Sequence, residues 1–457
     1  MLPQVDWNSP REMGRNPPFF PVGTQWETRG KNRRRGLGKK GFAQKKVLSL
    51  VLCVAMLLSV MVMGTGAASF TDQDEFSDNY AEAAEVLTGM GIIQGYDDGS
   101  FLPQRNINRA QVATMIYRAA TGDVTDSKIS QFVGEDLFDD VNADDWFAGY
   151  VNYCGNAEYI KGFTPDTFGP YKQVTGYQVL AMILRAVGYD ENDEYTGDQW
   201  TLRVAATARE QGLLDNLNPD TNLAEPATRE LVAQLIFEAI QIDTVRYSPA
   251  AGAYRPSTTP ASSLGEQVFD LAVVNDNDVW GRPATIWYAE SSTYWNGAVK
   301  NDGYQSDKDD LYATIEEEAL ATYTTAVKIC DVADDLGIAE ETFTTYTNGE
   351  VNDGTVKIDA DATTATIGAQ GRLTEVYEDT IVYIDTFLAR VDKVTEVKYD
   401  ADGHVAKDAS LTLGVYANNG TNHNDAQSVT LTDDTNYTYA EGDMLLVNAV
   451  TDGADWH

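Results

Sequence analysis

Apolar residues recur at helical spacing in three similar stretches of the chain between Phe70 and Ile242. In the first stretch the spacing i, i+3, i+4, i+7 predicts an amphipathic helix with one buried face. The apolar positions of this helix are Tyr80, Ala83, Ala84 and Leu87. A strand-like apolar pair at residues 92–93 and a glycine-containing turn follow, and a second helix is predicted over residues 107–120.

This order of elements occurs in residues 69–122, 135–189 and 194–242, which we call the first, second and third modules. Each module has an aromatic anchor in its first helix and an aligned position at the start of its second helix. The anchors are Tyr80, Trp146 and Trp200, and the aligned positions are Arg109, Gly176 and Arg229. The anchors are 66 and 54 residues apart, and the aligned positions are 67 and 53 residues apart. Because two markers agree to within one residue, we predict a true repeat that packs as one helical assembly.

The pattern changes at residues 243–263, which are rich in Pro, Ser, Thr and Ala and have the composition of a linker. Beyond this segment, alternating or β-branched runs predict strands. These runs are residues 284–288, 354–358, 380–384 and 396–399. Two stretches differ, and we predict a helix over residues 311–328 and a short extension of it over 332–338. The fold class is therefore α+β and multidomain, with a β-rich, sandwich-like region over residues 264–457.

The net charge of the chain limits its partners. The chain has 33 Lys and Arg residues against 70 Asp and Glu residues, a formal net charge of −37. Residues 1–68 hold 11 of the basic and 3 of the acidic residues, so the remainder carries −45. An acidic surface repels nucleic acid and anionic lipid headgroups, and we predict no nucleic-acid partner. Solubility and the binding of cations such as calcium both account for this charge, although no motif indicates a cofactor.

Residues 1–68 have the pattern of a basic extension followed by a secretory signal peptide. Basic residues at 39, 40, 45 and 46 precede an apolar run at 47–63, and small residues follow as far as Ala68. We predict cleavage after Ala68. The alternative is an uncleaved membrane anchor, for which the seventeen residues of the run are at the lower limit.

Few residues of the chain offer metal or catalytic chemistry. The mature chain would keep Cys154 and Cys330, which lie in different segments, so a disulfide framework is disfavoured. The three histidines, His404, His423 and His457, form no cluster with cysteines, so a zinc site is disfavoured too. Residues 400–403, Asp-Ala-Asp-Gly, lack the later ligands of a calcium loop, and we interpret them as a hairpin turn. No nucleophile or phosphate-loop motif occurs, although abundant carboxylates leave a glycosidase-type acid pair open.

Several short blocks in the modules follow one another in a fixed order. Residues 92–95 are Ile-Ile-Gln-Gly, residues 98–103 are Asp-Gly-Ser-Phe-Leu-Pro, and residues 107–111 are Ile-Asn-Arg-Ala-Gln. The second module has Phe138-x-Asp140 and Trp146, and the third has Thr-Arg-Glu at 228–230. In this order the blocks resemble the S-layer homology (SLH) domain, a secreted module that attaches bacterial proteins to cell-wall polysaccharide. The resemblance covers about 170 of the 457 residues.

The resemblance implies a pseudo-threefold helical assembly whose grooves bind a pyruvylated sugar of a secondary wall polysaccharide. It implies that the aligned arginines pair with the sugar carboxylate, which a planar guanidinium can bind through two hydrogen bonds. Aromatic and aspartate residues would contact the sugar ring. The polysaccharide-binding residues implied in this way are Asp72, Tyr80, Arg109, Asp140, Trp146, Trp200 and Arg229. No catalytic residue and no metal ligand is implied.

The chain departs from the family pattern at three places. Gly176 replaces the arginine in the second module, Tyr80 replaces the tryptophan in the first, and the third lacks a clear Asp-Gly-x-Phe turn. We therefore expect at most two competent grooves. The alternative for Trp146 and Trp200 is that they are core anchors, and the alternative for the two arginines is that they cap or bridge helices.

We predict a non-catalytic bacterial cell-surface protein, secreted and held non-covalently on secondary cell-wall polysaccharide by three SLH modules. Residues 264–457 would be displayed or would self-assemble as a surface layer. The alternative is an SLH-anchored extracellular hydrolase or adhesin whose activity lies in this C-terminal region. The sequence leaves open the glycan, the oligomeric state, the true start site and whether the chain is a fragment.

Overall fold

The computed structural model describes residues 70–96, 98–134, 137–290, 294–295, 298–299, 311–399, 405–416, 427–433, 436–449, 451–452 and 455–456. The predicted signal segment, the predicted turn at 400–403 and the three histidines lie outside the described residues. Within the described part of the chain, no helix has the length and apolarity that a bilayer crossing requires.

The repeat region is helical, as predicted, with two α-helices in the described residues of each module. The helices are α1 (Ala81–Gly89), α2 (Arg109–Thr121), α3 (Ala148–Asn156), α4 (Gly176–Ala186), α5 (Trp200–Glu210) and α6 (Arg229–Ile240). The second helix of each module begins after a polar N-cap, whose side chain accepts a hydrogen bond from an otherwise unpaired backbone N–H. The N-caps are Asn108, Thr175 and Thr228.

Three backbone hydrogen bonds join the modules in a closed ring just before these second helices. The N–H of Ile107 donates to the carbonyl of Ala227 at 3.1 Å, and the N–H of Ala227 donates to the carbonyl of Val174 at 2.8 Å. The N–H of Val174 closes the ring by donating to the carbonyl of Ile107 at 3.4 Å. All three residues are buried. Each module therefore donates to one neighbour and accepts from the other, and the modules pack around one another.

A single hydrophobic core runs through the three modules. Its fully buried aromatic side chains include Phe101, Phe147 and Phe168, which lie outside the helices. Ile92 and Ile93 are buried as predicted, but they lie in a bend after α1 and form no strand. Full burial of each large apolar side chain contributes about 1.5–3 kcal/mol, so this shared core stabilises the modules jointly.

The segment of linker composition contains a hairpin. Its strands are β1 (Val245–Ser248) and β2 (Ala253–Pro256), which pair antiparallel. The N–H of Val245 donates to the carbonyl of Val187 at 2.8 Å, which ties the hairpin to the end of α4. Helix α7 (Leu264–Phe269) follows.

The helical core continues into a three-stranded antiparallel sheet. The strands are β3 (Leu271–Asn277), β4 (Pro283–Ala289) and β7 (Leu311–Glu316), in the order β3-β4-β7. Leu271, Trp287 and Ala313 of this sheet belong to the same buried cluster as the helices. The indole N–H of Trp287 donates to Glu82 Oε1 in α1 at 2.9 Å. The backbone of α1 approaches β7 so closely that a Cβ on Gly89 would overlap the carbonyl of Tyr312.

The remaining chain is β-rich, as predicted. Its elements are β5 (Tyr294–Trp295), β6 (Ala298–Val299), β8 (Ala321–Tyr323), β9 (Val327–Lys328), α8 (Ile329–Leu336), β10 (Glu340–Thr347), β11 (Glu350–Asp359), β12 (Thr366–Ile367), β13 (Arg372–Val376), β14 (Thr380–Thr395), β15 (Lys398–Tyr399), β16 (Val405–Lys407), β17 (Ala409–Tyr416), β18 (Gln427–Asp433), β19 (Met444–Asn448), β20 (Thr451–Asp452) and β21 (Asp455–Trp456). Strand β14 belongs to two sheets, because its first part pairs with β10 and β13 and its second part with β17 and β19. Each part has its own small core, around Phe343 and Ile381 in one and Ala389 and Leu413 in the other.

The helix predicted over residues 311–328 is wrong, because this stretch forms β7, β8 and β9. Strand β7 pairs with β4, with Thr314 opposite Ile286, so its backbone groups find partners that are distant in sequence. Local periodicity cannot register such partners, and sheet pairing overrides it. The short extension predicted at 332–338 is helical as far as Leu336, where α8 ends. The strands predicted at 284–288, 354–358 and 380–384 are confirmed within β4, β11 and β14.

Candidate functional site

Arg109 reaches from the first module into the second. Its Nε donates to the carbonyl of Phe168 at 2.9 Å, and its Nη2 donates to the carbonyl of Lys161 at 2.8 Å. The guanidinium carbon lies 4.5 Å from the centroid of the Phe168 ring. The residue is only 4% exposed, so the hydrogen bonds and the ring hold the side chain in one orientation.

Arg229 makes the same contacts between the third module and the first. Its Nε donates to the carbonyl of Phe101 at 2.7 Å, and its Nη2 donates to the carbonyl of Gln94 at 3.2 Å. Its guanidinium carbon lies 4.5 Å from the Phe101 ring centroid and 4.8 Å from that of Tyr96. The two arginines therefore occupy equivalent positions at two different module boundaries.

Among the described residues, neither guanidinium has a direct carboxylate partner, although the charges of Asp140 and Asp72 act to raise the pKa of Arg109 and Arg229 respectively. Among the residues that the structure describes, no carboxylate oxygen lies within 4.0 Å of Arg109 or Arg229. Burial lowers the pKa of Arg109 to about 10, and burial also lowers the pKa of Arg229. Each side chain keeps N–H donors beyond the two that bind carbonyls. A buried cation with unused donors favours a bound anion.

A second cation and an aromatic ring lie beside each arginine. Lys172 Nζ lies 3.5 Å from the Phe163 ring centroid, and Arg105 lies 5.8 Å from that of Tyr96. The carbonyl of Lys172 accepts a hydrogen bond from the N–H of Arg109, and the carbonyl of Arg105 accepts one from the N–H of Arg229. We call these groups the Arg109 site and the Arg229 site. Each site contains two cationic side chains, in a chain whose net charge is −37.

The equivalent position between the second and third modules is closed. Gly176 begins α4 there, and a Cβ on it would lie 2.6 Å from Cδ2 of Leu223 and 3.0 Å from its Cα. The N–H of Tyr177 donates to the carbonyl of Leu223 at 3.0 Å, as the N–H of Ala110 donates to that of Pro170. An apolar contact therefore replaces the cation at this boundary.

Asp72 and Asp140 position the turns that carry the arginine partners. The carboxylate of Asp140 accepts hydrogen bonds from the N–H groups of Phe168 at 2.7 Å and Gly169 at 2.8 Å. The carboxylate of Asp72 accepts equivalent bonds from residues 101 and 102 at 2.8 and 2.7 Å. Each aspartate thus fixes the residue whose carbonyl binds the arginine, and its contact with a sugar stays a prediction.

Comparison with protein families agrees with this geometry. The model of the S-layer homology domain matches residues 69–113 and 137–179. The first match contains Asp72 and Arg109, and the second contains Asp140, Phe168 and Gly176. The chain is an S-layer homology domain protein.

Known proteins with this similarity include proteins of bacterial surfaces. The chain is 30% identical over 201 residues (44% of this chain, 18% of the relative) to the middle cell wall protein of Brevibacillus brevis. It is 36% identical over 146 residues (32% and 13%) to the surface layer protein of Brevibacillus choshinensis. It is 26% identical over 183 residues (37% and 9%) to an amylopullulanase of Thermoanaerobacterium thermosulfurigenes. The matches to these three relatives span less than a fifth of the length of each.

The contacts shift the alignment of the aromatic anchors in the two matched SLH segments by one residue. The N–H of Ile92 donates to the carbonyl of Leu87, and the N–H of Tyr159 donates to that of Cys154, 67 residues later in both cases. At this spacing Trp146 corresponds to Asn79, and Tyr80 corresponds to Phe147. The sequence already indicated this shift, because Tyr80 and Trp146 are 66 residues apart whereas Arg109 and Gly176 are 67 residues apart.

The predicted aromatic site residues of the SLH modules differ in their exposure to solvent. Tyr80 is buried, and its hydroxyl accepts a hydrogen bond from the N–H of Asn218 at 3.0 Å. Trp146 is 58% exposed, so its alternative as a core anchor is wrong, whereas Trp200 is partly buried against the core. Sequence reasoning missed several residues around the arginines, although the repeat spacing pairs Tyr96 with Phe163 and Arg105 with Lys172. The missed residues are Tyr96, Arg105, Phe163, Tyr171 and Lys172.

Proposed function

We propose that this protein is a secreted, non-catalytic component of a bacterial cell surface, held on wall polysaccharide through the Arg109 and Arg229 sites. The observation that carries this proposal is the pair of buried guanidinium groups without a carboxylate partner. A sugar that bears a carboxylate supplies the missing negative charge and accepts hydrogen bonds from the unused N–H groups. A pyruvylated sugar of a secondary wall polysaccharide has this chemistry.

The proposal includes a third SLH module at residues 194–242 and a pseudo-threefold arrangement of the three modules. The closed ring of hydrogen bonds through Ile107, Val174 and Ala227 supports this arrangement. So does Arg229 of the third module, whose contacts with the first module repeat those that Arg109 of the first module makes with the second. Because Leu223 closes the third boundary, two binding sites are expected per chain.

Two sites on one chain strengthen attachment to a polymer that repeats the same sugar. Binding at the first site raises the effective concentration of polymer at the second, so the overall affinity exceeds that of either site. Residues 264–457 would then be held at the wall, displayed or self-assembled as a surface layer. The surface-layer and cell-wall proteins among the relatives support this role.

The alternative is an SLH-anchored hydrolase, which is supported by the similarity to an amylopullulanase. One group of carboxylates surrounds Arg282 in the turn between β3 and β4. Arg282 contacts Glu375 at 2.8 Å, Glu316 at 2.9 Å and Asp278 at 3.7 Å. Because these carboxylates are paired with an arginine, the group favours a structural role. Calcium binding remains an alternative for the acidic surface, although the described residues include no metal-binding group of His, Cys, Asp or Glu.

The proposal is tested by sedimentation of the full chain with purified Gram-positive cell walls, before and after removal of the secondary polysaccharide. The test variants are Arg109→Ala, Arg229→Ala and the double variant. Arg246→Ala in β1 is the matched control, because Arg246 is an exposed arginine outside both sites. Thermal unfolding of each variant shows whether it folds. Arg109→Lys and Arg229→Lys keep the charge and lose the planar fork, so they report on binding where an alanine variant unfolds.

We expect each single variant to bind the wall at least about tenfold more weakly, because bivalent attachment is lost. The double variant should stay in the supernatant, while Arg246→Ala should bind like the unmodified chain. Equal binding to stripped walls, or full binding by a folded double variant, would contradict the proposal.

A further inference from the structure

The two arginine sites differ in their surroundings, and the difference lies in exposed aromatic rings. Near the Arg109 site, Trp146, Phe163 and Tyr171 are 58%, 54% and 69% exposed. Isolated exposed apolar side chains are ordinary on protein surfaces, but adjacent exposed aromatic rings indicate binding.

Two of these rings, those of Trp146 and Tyr171, pack against the ring of Phe147. Phe147 is fully buried, and its ring centroid lies 5.4 Å from those of both Trp146 and Tyr171. The interplanar angles are 87° and 86°, the edge-to-face geometry that aromatic pairs prefer. Trp146 and Tyr171 are therefore no farther apart than twice that distance, and both keep much of their surface in solvent. We call these two rings, backed by Phe147, the aromatic platform.

The aromatic platform adjoins the Arg109 site through the backbone. Tyr171 lies between Pro170 and Lys172, whose carbonyls accept hydrogen bonds from the first two N–H groups of α2. Arg109 is the first residue of that helix. Lys172 in turn covers one side of Phe163. Tyr171 of the platform is therefore flanked by the two residues whose carbonyls bind the start of the helix that Arg109 begins.

The Arg229 site has no such platform. The residues that correspond to Trp146, Tyr171 and Phe163 there are Asn79, Gln104 and Tyr96. Asn79 and Gln104 donate hydrogen bonds to Asn218 and Glu230, and the Tyr96 ring lies on the guanidinium of Arg229. This surface therefore offers no row of exposed aromatic rings.

We propose that the aromatic platform binds neutral sugar rings that neighbour the acidic sugar in the polysaccharide, so that the Arg109 site takes an oligosaccharide and the Arg229 site only a single acidic sugar. The C–H groups of a pyranose ring suit the electron-rich face of an aromatic side chain. Exposed Asp144 and partly exposed Asp145 precede Trp146, and their charge disfavours a second acidic sugar at that end. This inference rests on the proposed function, since it extends the ligand from one of the two arginine sites.

The test measures the affinity of the full chain for a pyruvylated methyl glycoside and for size-fractionated oligosaccharides of purified wall polysaccharide. Arg229→Ala isolates the Arg109 site, and Arg109→Ala isolates the Arg229 site. Tyr171→Ala and Trp146→Ala are then added to Arg229→Ala. Gln104→Ala, added to Arg109→Ala, is the matched control at the corresponding position of the other site.

We expect the Arg229→Ala chain to bind longer oligosaccharides about tenfold more tightly than the single glycoside. Adding Tyr171→Ala should remove most of this gain and leave the affinity for the single glycoside unchanged. The Arg109→Ala chain should show no gain with length, with or without Gln104→Ala. Because Trp146 and Tyr171 are exposed, unchanged thermal unfolding should accompany these losses.

A length-dependent gain of the same size in both single-site chains would overturn the inference, and so would a gain that survives Tyr171→Ala and Trp146→Ala together. Failure of the proposed function looks different. In that case the pyruvylated glycoside binds no chain, whatever residue occupies position 171, and the inference falls with it.

Discussion

Leu223 of the third module lies against the backbone of Gly176, so closely that any side chain at this position would meet it. The Cβ of a larger residue would lie 2.6 Å from Leu223 Cδ2. Gly176 occupies the position that Arg109 and Arg229 hold at the other two boundaries. The missing arginine and the intruding leucine are therefore one feature, in which an apolar contact takes the place of the guanidinium.

Because Leu223 fills the space beside Gly176, an arginine at position 176 should destabilise the fold. We expect Gly176→Arg to lower the free energy of unfolding by about 1–3 kcal/mol, because the new side chain overpacks a closed contact. Adding Leu223→Ala should recover part of the loss by making room. Denaturant unfolding measures both effects, with Gly134→Ala as the control because a Cβ there would have no atom of the described residues within 4 Å, its chain neighbours aside. Unchanged stability of Gly176→Arg would contradict the close packing.

Asp72 and Asp140, which position the two turns, should contribute to the stability of the fold. We expect Asp140→Ala to lower the free energy of unfolding by about 1–3 kcal/mol, because the N–H groups of Phe168 and Gly169 lose their acceptor. Asp72→Ala should have a similar effect on the turn of the first module. Neighbouring Asp139 is exposed, and Asp139→Ala is the matched control. Thermal unfolding of these variants measures the effect. Equal melting temperatures for Asp139→Ala and Asp140→Ala would contradict the role of Asp140 in holding its turn.

The ion group around Arg282 should make stability depend on pH. Burial raises the pKa of Asp278 from 3.8 to about 7, because it outweighs the attraction of Arg282. The Oδ2 atom of Asp278 has no hydrogen-bond partner among the described residues, although Oδ1 accepts from two backbone N–H groups. Between pH 3.8 and about 7 the folded chain keeps a proton that the unfolded chain has lost. The free energy of unfolding should therefore fall by about 2–4 kcal/mol as the pH rises through this range.

Unfolding midpoints between pH 4 and pH 8 measure this slope. Asp278→Asn stays neutral and should flatten it, and Glu317→Gln, an exposed carboxyl next to Glu316, is the control. Glu85 in α1 should add a slope of the same sign, because burial and the charges of Glu316 and Glu82 raise its pKa to about 7. The same slope in the Asp278→Asn chain would assign the effect to other groups.

The helical modules should not be stable without the first sheet. Removal of the chain after residue 250 strips Leu271, Trp287 and Ala313 from the shared core and leaves the partner of Glu82 missing. We expect a fragment of residues 70–250 to melt at a lower temperature and to bind a hydrophobic dye more strongly than one of residues 70–317. Loss of one large buried aromatic side chain alone costs about 3–5 kcal/mol. Equal melting temperatures would show that the modules fold independently of the sheet.

The sequence alone was sufficient to predict the repeat, its helices and the equivalent positions of Arg109 and Arg229 at the start of two of them. These features depend on short-range periodicity and on the recurrence of a motif, both of which are visible along the chain. The β-rich character of the C-terminal region was visible for the same reason, in its β-branched runs. The helix predicted at 311–328 was wrong because the strands formed there pair with β4, β12 and β13, all of which are distant along the chain.

Only the tertiary structure decided which of these residues are buried and which are exposed. Tyr80 and Trp146 looked equivalent in sequence, but a shift of one residue places one ring in the core and the other in solvent. The partners of each arginine are carbonyl groups of another module, and the side chain that closes the third boundary comes from a loop 47 residues beyond Gly176. Local pattern determines which faces of the helices are apolar, whereas contacts between distant segments determine what each exposed face can bind.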